Sequence, residues 1–142
     1  MRHPDLKLLK TVFAQFPQIK AVYLFGSLAA GRGRSDSDLD LAVISGHERP
    51  GSEKLDILGR LAQEGFCNVD LVFLPKDDIV LQYEAVRMNN IVYQRSDFDS
   101  AAFYSLIIRR YLDFVPYLKV QRKAYKERIL HGPARGYQKA AE

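Results

Sequence analysis

The sequence predicts a single α/β or α+β domain with a small β-sheet, and three observations support this. The chain has 142 residues, which is the length of one ordinary domain. Hydrophobic residues make up 47% of it and charged residues 27%, as is typical of a globular protein with one core. Strand-like segments alternate with helix-like segments. The apolar stretches are short, so no membrane-spanning segment is expected.

The first third of the chain is predicted to run helix, strand, loop, strand. Apolar residues recur at helical spacing over residues 6–16, and Pro17 ends the pattern. Residues 19–25 are rich in β-branched and aromatic side chains, which favour a strand. Glycine, serine and aspartate interrupt the pattern over residues 26–37. Residues 39–44 then predict a second strand.

The middle of the chain repeats the alternation of helix and strand. A helix is predicted over about residues 53–65, and the apolar run at 69–74 predicts a third strand that Pro75 stops. Residues 77–78 can cap a short helix. Residues 91–93 predict a short fourth strand.

The C-terminal part is predicted to be helical nearly to its end. Residues 97–131 are expected to form helices, kinked or divided at Pro116, that pack on the core and are not an independent domain. Glycine and proline punctuate residues 132–142, which are expected to be a flexible tail. The core itself is therefore expected to span residues 1–96.

Charge and cysteine content restrict the partners and the compartment. The net charge of +4 permits an anionic partner such as a triphosphate or RNA but does not require one. Basic residues concentrate between Arg109 and Lys139, where a solvated helix face is a better explanation than a nucleic-acid surface. Direct nucleic-acid binding is therefore not expected. Cys67 is the only cysteine, which fits a reducing cytoplasm, and a small buried side chain is a better interpretation of it than a nucleophile.

Two aspartates at the start of the second predicted strand are candidate metal ligands. Residues i and i+2 of a strand point to the same face, so Asp38 and Asp40 are expected to project together while Leu39 faces the core. Two carboxylates this close repel each other, and a cation between them relieves the repulsion. Hard oxygen ligands of this kind suit Mg²⁺ or Mn²⁺.

A third aspartate, Asp70, stands inside an otherwise mostly apolar strand. A charge there is costly unless it is paired or bound to metal. If this strand lies beside residues 39–44, Asp70 completes a three-carboxylate cluster. Such a cluster can hold two metals, one activating an attacking hydroxyl and one stabilising a departing pyrophosphate. Asp70 then serves either as general base or as metal ligand, and both roles stay open.

The dipeptide Gly26-Ser27 directly follows the first predicted strand and is a candidate phosphate site. Glycine lets the backbone approach a phosphate, and serine offers a hydroxyl and an N–H group. Arg32 and Arg34 can add charge-assisted contacts, with a solvated loop as an equally good explanation. Ser37 lies just before Asp38, the first of the candidate metal ligands. An Asx-rich turn also explains this segment.

The conjunction of these features is far more specific than any one of them. A Gly-Ser dipeptide or a single Asp-x-Asp is common by itself. Here a strand, Gly-Ser, ten intervening residues, Asp-x-Asp and a lone aspartate in a third strand follow in order. A P-loop would need a Gly-Lys-Ser/Thr ending, which is missing, and no zinc ligand set or Ser-His-Asp grouping stands out.

This pattern resembles the nucleotidyltransferase superfamily related to DNA polymerase β, and the small size is similar to its minimal nucleotidyltransferases (MNT). Further segments are similar to the MntA-type antitoxin subgroup, so the resemblance covers roughly the whole chain: residues 69–72, 81–87, 90–93 and 111–116. It implies a nucleotidyltransferase fold, with a small mixed β-sheet flanked by helices and a C-terminal helical extension after the catalytic core. Leu28 departs from the family pattern, in which an aromatic or polar residue is frequent.

The resemblance also implies an activity and a partner. ATP would be the donor, with Mg²⁺ or Mn²⁺ as the metal. The acceptor would be a tyrosine of a HEPN-domain toxin, which AMP transfer silences within a cytoplasmic hetero-oligomer. The implied nucleotide-binding residues are Gly26, Ser27, Arg34 and Ser37, and the implied metal-binding and catalytic residues are Asp38, Asp40 and Asp70.

Two other functions fit the same residues. The chain can be a stoichiometric antitoxin that binds its partner through the basic, aromatic C-terminal helices, although the presence of all three aspartates argues against this. It can also transfer a nucleotide to a small molecule, such as an aminoglycoside-type antibiotic, or to RNA. Small-molecule members commonly carry an extra helical domain, and the residues after Asp99 leave room for only a modest one.

Overall fold

The computed structural model describes residues 4–26, 38–46 and 52–131. Within these ranges the helices and strands are, in order, α1 Leu8–Phe13, β1 Ile19–Phe25, β2 Leu39–Ser45, α2 Ser52–Gln63, β3 Val69–Phe73, α3 Ile79–Val86, β4 Ile91–Gln94 and α4 Ser100–His131. The predicted alternation of helix and strand is confirmed. None of the helices in these ranges combines the length and the apolar character that a membrane crossing requires.

In the described part of the chain, four strands form one mixed sheet in the order β3-β2-β1-β4. β1 pairs antiparallel with both β2 and β4, whereas β2 pairs parallel with β3. A parallel pair needs a crossover connection, and α2 lies in the chain between these two strands. The predicted small mixed sheet flanked by helices is confirmed.

Apolar side chains cover both faces of the sheet, and this fixes the side to which each strand residue points. Leu39, Leu41 and Val43 of β2 belong to one core cluster, whereas Ala42 belongs to another. Helical members of the first cluster come from α1 and α2: Leu9, Val12, Phe13, Ile57 and Leu61. Helical members of the second come from α3 and the start of α4: Ala85, Val86 and Ile107. Even-numbered residues of β2 therefore share the face that α3 covers.

The structure differs from the sequence expectation at Pro116 and Cys67. The C-terminal segment is one helix, Ser100–His131, which runs through Pro116 and is not divided there. Proline has no backbone N–H, so Pro116 cannot donate a hydrogen bond to the Leu112 carbonyl. Because Pro116 and Leu112 are both exposed, this carbonyl can accept a hydrogen bond from solvent instead. Cys67, expected to be buried, is exposed, because its neighbour Phe66 is the residue that fills the core.

The described residues form two compact units, one ending at Ile108 and the other beginning at Arg109. The division lies within α4 and not at a loop. The expected core of residues 1–96 and the packing of residues 97–131 on it stay predictions. The expected flexible tail, residues 132–142, lies outside the described residues.

Tyr23 places a polar atom in the second core cluster. The residue is fully buried, and its hydroxyl has no hydrogen-bond partner among the described residues. Burial raises the pKa of Tyr23 to about 12. Its ring packs at a centroid distance of 6.3 Å from that of Phe103, so the apolar part of the side chain stabilises the cluster while the hydroxyl does not.

We expect Tyr23→Phe to be at least as stable as the wild type at pH 7, by up to about 1 kcal/mol, because it removes a buried group without a partner. The unfolded tyrosine ionises near pH 10 and the folded one near 12, so the fold loses stability as the pH rises through this range. The phenylalanine variant should lose less stability over the same pH range. Urea unfolding across this pH range measures both effects, with the exposed Tyr117→Phe as control. A clear loss of stability at pH 7 would contradict the expectation.

Candidate active site

Strand register places Asp40 next to Asp70. β2 and β3 are parallel, and Asp40 pairs with Asp70 in the register between them. Paired residues of neighbouring strands lie about 4.8 Å apart and point to the same face. β3 therefore lies beside β2. The sequence predicts that Asp70 joins the other two aspartates if these two strands are neighbours, and this condition is met.

The alternation along β2 separates the carboxylate from the core. Leu39 and Leu41 are fully buried, while Asp40 between them is partly exposed. Asp38 is exposed and precedes β2, which begins at Leu39. Asp70 is exposed on β3. All three aspartates are therefore accessible to a ligand from solvent.

The three carboxylates interact electrostatically. Burial first, then the charge of Asp70 and the charge of Asp38, raise the pKa of Asp40 above its usual range. The like charges oppose the ionised form of Asp40, and a divalent cation would favour it. Carboxylate oxygens are the hard ligands that Mg²⁺ and Mn²⁺ prefer, so the chemistry of this donor set fits such an ion.

The carboxylates are neighbours, but their side chains do not form a closed metal cage. Among residues 4–26, 38–46 and 52–131, no three His, Cys, Asp or Glu side chains are grouped so that they could hold a metal ion. Mg²⁺ usually binds one or two protein carboxylates together with water and substrate phosphates, so a site of this kind does not require a closed cage. The ligand roles of Asp38, Asp40 and Asp70 stay predictions.

Gly26 follows β1 and lies against the Asp40 side chain. Its φ is +77°, a conformation that glycine adopts at no steric cost. A Cβ at this position would lie 3.1 Å from the Asp40 Cγ and 3.3 Å from its Cβ, and would collide with Oδ2. The register between β1 and β2 explains the contact, because Phe25 pairs with Asp40. Sequence reasoning connected Gly26 with phosphate and missed this second role, which is to leave space for a carboxylate.

Three of the predicted nucleotide-binding residues lie outside the described residues: Ser27, Arg34 and Ser37. The structure does bring Gly26, Asp40 and Asp70 together. Asp38 is close enough for its charge to act on Asp40. The described part of the site is therefore a group of carboxylates beside a glycine that permits close backbone approach.

Comparison with known proteins identifies related nucleotidyltransferases. The family model described as polymerase beta, nucleotidyltransferase matches residues 7–98. Protein adenylyltransferase MntA of Shewanella oneidensis is 23% identical to this chain over 128 residues, which are 90% of this chain and 88% of the relative.

Two solved structures are similar in fold. A toxin-antitoxin structure with AMP-PNP has a TM-score of 0.62 and 25% identity, covering 87% of this chain and 96% of that one. A tri-AMPylated Shewanella oneidensis HEPN toxin in complex with MNT antitoxin has a TM-score of 0.57 and 23% identity, covering 87% of this chain and 93% of that one. The family model spans more than half of the chain and includes the strands that carry Asp40 and Asp70, so this chain belongs to the polymerase beta nucleotidyltransferase family.

Proposed function

We propose that this protein transfers AMP from ATP to a tyrosine of a HEPN-domain toxin and acts as the antitoxin of that toxin. The observation that carries the proposal is the in-register pairing of Asp40 with Asp70 beside Gly26, in a chain of the nucleotidyltransferase family. The similar proteins support the acceptor, since one is named a protein adenylyltransferase and one structure contains an AMPylated HEPN toxin. A cytoplasmic location, in line with the single cysteine, is part of the same proposal.

ATP is the proposed donor, and a similar solved structure with AMP-PNP supports this. The triphosphate would approach the backbone at Gly26, at the end of β1, where the missing Cβ leaves space for the Asp40 carboxylate beside it. Ser27 would add its hydroxyl and N–H group, while Arg34 and Ser37 would supply further contacts to phosphate.

Asp38, Asp40 and Asp70 are the residues that would hold the divalent metal, with Mg²⁺ as the proposed natural ion. When bound, the metal supplies charge that neutralises the phosphates and activates the attacking hydroxyl. The chain itself contributes the three carboxylates, and the pairing of β2 with β3 keeps two of them, Asp40 and Asp70, close despite their repulsion.

The acceptor tyrosine oxygen would form a bond to the α-phosphorus while the bond to pyrophosphate breaks. The phenolic proton would pass to a base at the site. Asp70, which is exposed and pairs with Asp40, would either take this proton or hold the metal. Transfer of this kind depends mainly on positioning and charge neutralisation, which a carboxylate cluster provides.

A stoichiometric antitoxin is the second candidate function. It is favoured by the exposed apolar side chains Tyr125 and Ile129 on the C-terminal part of α4. In that case contact alone would inhibit the toxin, and the aspartates would be dispensable. Transfer to a small molecule or RNA has no comparable support among the described residues.

Replacing Asp38 and Asp40 together by asparagine should lower AMP transfer to the toxin by about 10³-fold or more. A metal stabilises the charge of the transition state by several kcal/mol, and each increase of about 1.4 kcal/mol in the activation free energy lowers the rate tenfold. The purified protein is incubated with ATP, Mg²⁺ and toxin, and the toxin is weighed by mass spectrometry. Asp56→Asn, which changes an exposed carboxylate on α2, is the control and should retain the wild-type rate.

Coexpression with the toxin separates catalysis from binding. If D38N/D40N loses transfer but protects cells as well as the wild type, contact alone neutralises the toxin, and the proposal that AMP transfer is the antitoxin mechanism is wrong. Undiminished labelling of the toxin by the double variant would exclude the metal role of both aspartates.

Asp70→Asn tests the carboxylate cluster without an activity assay. The substitution removes a charge that raises the pKa of Asp40, so without divalent metal the variant should be at least as stable as the wild type. Mn²⁺ at 100 times its Kd should stabilise the wild type by about 2.7 kcal/mol and the variant much less. Unfolding in EDTA and in Mn²⁺ measures both effects. Equal stabilisation of the two proteins by Mn²⁺ would show that Asp70 is not a ligand of the metal.

Gly26→Ala should reduce both stability and AMP transfer, because a Cβ at this positive φ collides with the Asp40 carboxylate. Such a backbone conformation costs a residue other than glycine about 1–3 kcal/mol, and a displaced Asp40 no longer meets the metal. Gly59→Ala is a matched control in α2, where a Cβ meets open space. There alanine should stabilise the helix by about 0.5–1 kcal/mol. Denaturant unfolding and the transfer assay compare the two, and wild-type behaviour of G26A in both would refute the steric argument.

A further inference from the structure

Apolar residues form one line along α4, at the spacing that places side chains on the same side of a helix. The line consists of Ile107, Tyr111, Phe114, Leu118, Tyr125 and Ile129. Successive members are three, four or seven residues apart, so the line continues over nearly the full length of the helix.

Burial falls along this line toward the C-terminus. Ile107 is 1% exposed, whereas Tyr125 and Ile129 are 61% and 51% exposed. Leu118 is partly buried, and every residue from 119 to 129 is exposed in the part of the chain that the structure describes. The apolar line therefore continues into a part of α4 whose side chains are exposed among the described residues. We call Leu118, Tyr125 and Ile129 the distal face.

Basic side chains border the distal face. Residues 119–129 carry Lys119, Arg122, Lys123, Lys126 and Arg128, against the single acid Glu127. Arg122 lies four residues after Leu118 and three before Tyr125, so it stands in the line between these two apolar residues, whereas Lys126 lies three before Ile129 and adjoins the line. An apolar centre with a basic border favours a partner that has an apolar centre and an acidic border.

The same charges disfavour two occupants that this chain itself could supply. A second copy would bring an equally basic helix against the first, and like charges across an interface are costly. Residues 132–142 carry Arg135 and Lys139 with one acidic side chain, Glu142, so this segment does not provide an acidic border. A different protein is therefore the better match.

We propose that the distal face is the docking surface for an apolar, acid-bordered surface of the partner protein. The inference rests on the proposed function, which makes that partner the HEPN-domain toxin. Tyr125 and Ile129 supply the apolar part of the contact, and Arg122 and Lys126, which lie beside them on the helix, pair with acidic residues of the partner. Central aromatic and aliphatic groups determine most of the affinity, while border charges speed association and select the partner.

The test uses a matched pair of double substitutions in α4. The distal pair, Tyr125→Glu with Ile129→Glu, places two acids in the distal face. The control pair, Tyr117→Glu with Val120→Glu, places two acids on a different side of the same helix, at residues that are 59% and 67% exposed. Both pairs replace one tyrosine and one aliphatic residue and change the charge equally. Glutamate is a good helix former, and circular dichroism checks that the helix is retained.

Binding of purified HEPN-domain toxin is measured by calorimetry without ATP, so that the readout does not depend on AMP transfer. We expect the distal pair to raise the Kd by about 100-fold or more, as for loss of two central residues of an interface. The control pair should change the Kd by less than about threefold. Equal effects of the two pairs, or no effect of either, overturn the proposal.

A single-stranded RNA of mixed sequence serves as the second probe. If the distal pair abolishes RNA binding and leaves toxin binding intact, the face serves nucleic acid and the proposal is wrong. Weakened toxin binding without RNA binding by the wild type supports it.

Failure of the docking face and failure of the catalytic proposal give different results. If the distal pair binds and AMPylates the toxin as the wild type does, only the docking face is wrong. If the wild type binds the toxin through this face but transfers no AMP, the docking face stands and the catalytic proposal is wrong. If the wild type does not bind the toxin, the docking face is wrong as well.

Discussion

The in-register parallel pairing of β2 with β3 is the constraint on which the candidate site depends. It sets Asp40 beside Asp70 and places Leu41 beside Leu71, both of which are buried. A slip of one residue would turn Asp70 to the opposite face and carry Leu71 out of its core cluster. The apolar contacts that stabilise the sheet thus fix the register, and the register fixes how close the carboxylates lie.

The site concentrates unfavourable interactions that the surrounding sheet tolerates. Asp40 is partly removed from water beside two like charges, which together raise its pKa. Gly26 adds a backbone conformation with a φ of +77°. The same strands contribute side chains to both core clusters, so stabilising contacts lie on either side of the site. Local conflicts of this kind are typical of functional sites, where consistent packing elsewhere maintains the fold.

Most of the fold could be predicted from the sequence, and the three aspartates could be singled out as candidates, because both depend on short-range patterns. The alternation around Leu39 is a local signal, and the apolar run around Asp70 makes that charge stand out. The contact of Gly26 with Asp40 depends on the register between β1 and β2, which no local pattern encodes. The passage of α4 through Pro116 was equally hidden, because it depends on which side of the helix faces solvent.

A transferase with so small a motif needs contacts outside that motif to choose its acceptor. In the proposed function the carboxylates and Gly26 would act on phosphates and metal, and nothing in them distinguishes one hydroxyl from another. A protein acceptor can be held by contacts remote from its reacting tyrosine, and that binding energy can orient the hydroxyl for attack. The distal face of α4 offers such contacts, since its apolar centre gives affinity and its basic border selects acidic partners. Acceptor choice would then reside in a surface that varies independently of the aspartates, so chains that share this metal motif can serve different acceptors.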